Sequence, residues 1–261
     1  MAKLPGTRLG AFRAYSFGFF ICTSGFLFGY DTGIVGRSHR HTNSHAYHEA
    51  TSLTCLAGGV LTLKSYQNDF RYTDKTTVSA VMVSLQNVGA FLAAVAISLI
   101  SARFGRRRTI MASCAVFTLG VILQVVPSHS LACFYIGRFV SGLGLGAATA
   151  VAPSYNAEMA PKEIRGQLGS GMQMLFALGV MISYWIDYGV AIGMSVQSAQ
   201  WQIPVGLQMV PAAVLGFGLI GFPESVRWLV KKERYDEAWA SLSWMRADDG
   251  EWRVDVLIIA G

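Results

Sequence analysis

Apolar residues fall in six long runs, 11–36, 76–101, 109–127, 131–154, 168–191 and 203–222, each bounded by charge, proline or a polar cluster. Each holds about the 20 residues that a helix needs to cross a hydrocarbon core of roughly 30 Å. The first run is too long for the core of a cleaved leader and carries Asp31 where a small-residue cleavage site would stand, so it reads as a retained helix. Beyond the last run, residues 223–246 have the pattern of an amphipathic helix, with Trp228, Leu229, Ala238, Trp239 and Leu242 on its apolar face. The terminal VDVLIIAG is apolar but far too short to span. The pattern predicts an all-α membrane protein with six transmembrane helices and the start of a polar helical region.

Composition agrees. Hydrophobic residues make up 52% of the chain and charged ones 14%, against about 25% charged in an average soluble domain. The formal net charge of +6 would suit a nucleic-acid partner, but the charges sit between the apolar runs, and no nucleic-acid partner is expected. Placing the N-terminus in the cytoplasm puts 15 Lys and Arg on that side and five outside, all five in the loop 37–75. This is the bias that cytoplasmic loops show. Cys22, Cys55, Cys114 and Cys133 lack the spacing of a zinc knuckle or a disulfide framework.

Two charges lie inside apolar runs. Asp31 is five residues before Gly36 on an outward run, and Arg138 is seven after Leu131 on an inward one. At 1.5 Å per residue both lie about 8–10 Å below the outer boundary, where they can pair. An Asp beside Arg stays ionised, and one that loses that contact in a dry cavity recruits a proton. The pair is therefore either a proton latch or a structural bridge between helices. Gly25, Gly29 and Gly33, and likewise Gly142 and Gly146, recur every four residues and predict close helix packing. Gln173 offers an amide suited to a polyhydroxy ligand or to an interhelical hydrogen bond. Asp187, near the outer boundary, reads as interfacial and solvated.

Local motifs go further. Gly29-Tyr30-Asp31-Thr32-Gly33, Arg103-Phe104-Gly105-Arg106-Arg107, Pro153 to Glu158 with Ala160-Pro161, Arg165-Gly166, and Pro223-Glu224-Ser225 with Arg227-Trp228-Leu229 resemble the signatures of the sugar porter family of the major facilitator superfamily. Tyr184 to Gly189, YWIDYG, resembles fungal hexose and quinate permeases in particular. The resemblance implies a transporter rather than an enzyme, working without cofactor or metal, with a sugar, polyol or quinate-like substrate and protons as its partners. It implies that Asp31 and Arg138 form the proton-coupling pair and that Phe28 and Gln173 contact substrate. It further implies that Gly105, Arg106, Arg107, Glu158, Arg165, Glu224 and Arg227 form a cytoplasmic gating network. Ala102, Ala157 and Val226 depart from the usual acid, Ser and Pro, and the first of these removes one expected bridge.

Two features set the chain apart from that family. Residues 37–58 hold four of the five histidines. His39, His41, His45 and His48 can ligate zinc by residue type, but the four do not fit one helix face cleanly and match no recognised ligand pattern. Removing these 22 residues joins Gly36 to Gly59 and restores an uninterrupted family-like segment, GYDTGIVGGVLTLKSYQNDF. The block therefore reads as a retained intron of 66 nucleotides, and if translated as a polar extracellular insertion. Second, the family has two six-helix halves around a midplane site, and this chain carries the pattern of one.

The sequence thus organises as a cytoplasmic N-terminus (1–10), a first span (11–36), the insertion (37–58), the rest of an extracellular loop (59–75), five further spans (76–222) and a cytoplasmic segment (223–261). The expected function is proton symport of a carbohydrate by alternating access, in the plasma membrane, with a missing C-terminal half or a second transporter chain as partner. The alternative is a truncated, non-transporting fragment or a sensor-like partner of a full-length transporter.

Overall fold

Inside a bilayer a chain must satisfy its own backbone polar groups, and for apolar runs of this length the helix is the way to do so. The computed structural model describes residues 8–35, 64–70, 75–126, 130–161, 164–194 and 197–246. The insertion 37–58, its histidines and the tail 247–261 lie outside the described residues. The regular structure is helical: α1 (Arg8–Val35), α2 (Lys64–Phe70), α3 (Lys75–Phe104), α4 (Arg106–Val125), α5 (Leu131–Met159), α6 (Arg165–Gly193), α7 (Ala199–Leu207) and α8 (Met209–Gly218). A 3-10 turn (Leu219–Gly221) leads to α9 (Val226–Lys231) and α10 (Tyr235–Arg246).

Five helical stretches are long and apolar enough to cross a membrane: Thr77–Phe104, Arg106–Val125, Leu131–Met159, Arg165–Gly193 and Ala199–Gly221. The protein is therefore an integral, multi-pass membrane protein. At 28 residues α1 has the length as well. The last stretch is interrupted at Gln208, between α7 and α8. Pro204 and Pro211 lack the N–H groups that the carbonyls of Gln200 and Leu207 would otherwise accept, so the helical ladder is weakened on both sides of that residue.

α5 is the hub. It packs along α3 on one side and α4 on the other, while α1 packs along α6, and α8 closes the bundle against α4 and α1. Small residues set these distances. A Cβ on Gly25 or Gly29 would collide with the carbonyl oxygens of Met172 or Phe176 on α6, and one on Gly33 with Ser183. On α5, a Cβ at Gly142 or Gly146 would strike the carbonyls of Gln86 or Ala90 on α3. Backbones in such contact gain van der Waals packing along their whole length, which is what holds helices together where lipid is as apolar as the side chains.

Phe17, Tyr155, Phe222 and Trp228 centre one buried cluster, where α9 and α10 meet the bundle. This basic end also carries the turn between α3 and α4. A second cluster, including Tyr66, Phe134 and Trp201, fills the opposite end.

Candidate functional site

The close approach of α3 to α5 at Gly142 and of α1 to α6 at Gly29 leaves little space inside the bundle, and charged groups occupy it. Asp31 on α1 is 4% exposed and Arg138 on α5 is 1% exposed. Their nearest charged atoms, Arg138 Nη1 and Asp31 Oδ1, stand 3.6 Å apart. The tighter contacts run through Gln86 of α3, which is also buried. Arg138 Nη1 donates to Gln86 Oε1 at 2.8 Å, and Gln86 Nε2 donates to Asp31 Oδ2. Three helices are thus joined at one point.

An aromatic cap lies one helical turn further from the basic end. The Arg138 guanidinium sits 5.2 Å from the centre of the Phe134 ring, a favourable cation–π geometry. Phe134 meets Tyr66 at 5.5 Å and Phe70 at 5.8 Å between ring centres. Tyr66 meets Trp201 edge-on at 5.4 Å, and Trp201 Nε1 donates to Asp69 Oδ2 at 2.7 Å. Within the stretch 59–75, expected as loop, α2 therefore folds as a short helix pinned by its own aromatic residues.

Phe28 and Gln173 lie on an open face of the α1–α6 pair. Phe28 is 42% exposed and rests on Phe176 at 5.4 Å, while Gln173, almost one turn before Phe176 on α6, is exposed. The two side chains can meet a ligand on that face.

At the basic end, Gly105 has φ of 99°, the left-handed region that glycine adopts without strain. A Cβ there would come within 2.6 Å of Glu224 Oε2. Glu224 Oε1 accepts from the backbone N–H groups of Arg106 at 2.8 Å and Arg107 at 2.9 Å, at the N-terminus of α4, where a carboxylate is favoured. Arg106 Nη2 donates to Glu158 Oε1 at 3.1 Å, and Arg106 Nε stands 3.1 Å from Oε2 as an ion pair. Ser225 donates to the same carboxylate. Arg107 caps the last membrane stretch, donating to the carbonyls of Leu219 at 2.9 Å and Ile220 at 2.8 Å. Gly105, Arg106, Arg107, Glu158 and Glu224 are therefore brought together. Arg165 instead reaches the carbonyl of Ala160 at 3.4 Å. Arg227 is exposed, beside Arg106 and Glu158 in a cavity of about 580 Å³. Among the described residues no carboxylate lies within 4.0 Å of Arg165 or Arg227.

Sequence reasoning missed Gln86, whose signal was an amide beside Asn87 inside an apolar run, and the cap residues, which read as ordinary core. It misplaced Asp187. That residue is 6% exposed, and neither carboxylate oxygen has a hydrogen-bond partner among the described residues. Depth counted along one helix takes no account of the neighbours that cover it. Among the described residues no three His, Cys, Asp or Glu side chains gather as a metal site.

The family model for sugar (and other) transporters matches residues 17–254, and the chain belongs to that family. It is 36% identical over 200 residues to a probable quinate permease of Aspergillus niger, covering 74% of this chain and 37% of that protein. It is 35% identical over 230 residues to the high glucose sensor RGT2 of Saccharomyces cerevisiae, covering 88% of this chain and 27% of the sensor. In fold it matches the proton:xylose symporter XylE bound to 6-bromo-6-deoxy-D-glucose, with a TM-score of 0.78 and 21% identity over 96% of this chain and 53% of that one. The fold is that of the major facilitator superfamily. The chain spans about 37% of the length of the quinate permease relatives it matches.

Proposed function

We propose that the chain is the N-terminal half of a carbohydrate transporter that moves a sugar, polyol or quinate-like ring together with a proton, and that it is not an enzyme. In this reading α1 is the sixth span, the N-terminus faces the cytoplasm and the membrane is the plasma membrane. The observation that carries the reading is the buried Asp31–Gln86–Arg138 link, an acid and a base held inside the bundle where an unpaired charge is costly. Asp31 takes a proton, its hold on Arg138 weakens, and α1 and α5 become free to shift relative to each other. Phe28 and Gln173 offer an aromatic face and an amide to a ring bearing hydroxyls. The Glu158–Arg106 and Glu224 contacts hold the basic end shut until the halves rock. A second half, on a longer chain or a separate one, completes the substrate site.

The test is uptake of labelled glucose, xylose and quinate by transporter-null yeast expressing this chain together with the C-terminal half of a fungal quinate permease. Uptake of at least one compound is expected, and a protonophore should abolish it. The 35% identity to a glucose sensor favours a second reading, a chain that binds carbohydrate without carrying it. Absence of uptake for the whole panel, with a ligand still raising the thermal midpoint of the purified chain, would establish that reading instead.

A further inference from the structure

The amide of Gln86 is more than a packing neighbour of the charge pair. Arg138 Nη1 and Asp31 Oδ1 are 3.6 Å apart, beyond hydrogen-bond range, while both short contacts pass through Gln86. The amide has one accepting end and one donating end. A guanidinium has only donors and an ionised carboxylate only acceptors. Both bonds therefore form in one orientation alone, oxygen toward Arg138 and nitrogen toward Asp31, and a flip of the amide loses both at once. The side chain cannot drift away, because α3 is locked to α5 beside it. A Cβ at Gly142 would collide with the carbonyl of Gln86 itself, and one at Gly89 would come within 2.6 Å of the Phe139 carbonyl.

We propose that Gln86 is the positioning residue that passes the protonation state of Asp31 to Arg138 and to α3, a regulation of the charge pair that rests on the symport reading above. With Asp31 ionised, the Gln86 N–H bond is charge-assisted and about twice as strong as a neutral one. A proton on Asp31 removes that assistance. The hold of the amide on α1 then loosens while its bond to Arg138 on α5 remains. The proton thus weakens the tie of α1 to a unit of α3 and α5 that stays together, rather than breaking one ion pair in isolation, and leaves a neutral bond from the Gln86 N–H to the carboxylic C=O of Asp31. Tyr66, Phe70, Phe134 and Trp201 cover this link from the outer end, so the amide works in a dry site where such differences in hydrogen bonding are largest.

The test is infrared difference spectroscopy on the purified chain in detergent, titrated across pH. The carboxylic C=O band of Asp31 is the one lost in Asp31→Asn. In Gln86→Met, which keeps length and apolar packing, that band is expected to move to higher wavenumber, as a carbonyl does on losing a donor. Restoring the amide one methylene shorter, in Gln86→Asn, should return the band only in part. An Asp31 band at the wild-type position in Gln86→Met overturns the proposal. This readout needs no transport, so failure of the symport reading is seen separately, as proton-coupled uptake that persists in Asp31→Asn.

Discussion

At the scale of single residues, the buried charges and the contact glycines bear on different properties. Arg138 and Asp31 are each other's charge partner in a water-poor site, and removing one member of such a pair leaves an uncompensated charge. Arg138→Leu should destabilise the purified chain by about 3–5 kcal/mol, measured by thermal or denaturant unfolding in detergent, and Asp31→Asn combined with it should recover part of that loss. A loss below 1 kcal/mol would mean that the pair is hydrated. Gly142→Leu tests the close packing. Its side chain would meet the Gln86 carbonyl, and overpacking of this kind costs about 1–3 kcal/mol. A neutral result would show that α3 and α5 can part without consequence. Asp31, Arg138 and the glycine spacing were legible as sequence because each breaks the apolar pattern in a recognisable way. Gln86 breaks it too, but an uncharged amide carries no obligation to pair with a charge, and only the approach of α3 to α5 shows what it bonds. Asp187 was misread because burial depends on α1 and α7, which depth along α6 does not encode.

The spans were legible to within a few residues, whereas the stretch 223–246, read as one amphipathic helix, is two, α9 and α10, parted where Glu233 takes φ of 60°. Apolarity reports bilayer thickness, whereas helices continue into the charged interface until a turn or cap ends them. Thus the run 131–154 belongs to a helix that reaches Met159 and carries Glu158 to Arg106. The run 76–101 likewise extends to Phe104, ended by Gly105 with its positive φ. The sixth run appeared continuous, since two prolines seven residues apart interrupt the ladder without altering hydropathy. α2 was illegible: seven residues, KSYQNDF, show no long pattern, and their fold is fixed by Phe134 and Trp201 from elsewhere. Trp201→Ala removes those ring contacts together with the bond to Asp69. It should cost about 3–5 kcal/mol and raise proteolysis near residues 64–70 while leaving cleavage after α10 unchanged. Equal protease resistance at 64–70 in both proteins would show that α2 is held by something else.

For the molecule as a whole, the all-helical membrane fold and its family were legible from motif order, and the comparisons show the family over residues 17–254. The substrate was not: Phe28 and Gln173 stand on an open face of the α1–α6 pair, and in the proposed transporter a second half is what would make that face a cavity. Residues 37–58 interrupt a segment that otherwise matches the family pattern. Transcripts sequenced across codons 36–59 are expected to lack the 66 nucleotides, and transcripts that retain them under every growth condition would overturn the intron reading. The most direct measurement is substrate-driven alkalinisation of the medium by transporter-null cells expressing this chain with a complementary C-terminal half, compared with the Asp31→Asn variant. Wild type should take up protons when substrate is added, whereas the variant should exchange labelled for unlabelled substrate without moving protons. Proton uptake of equal size in the variant would contradict the assignment of Asp31 and Arg138 as the coupling pair.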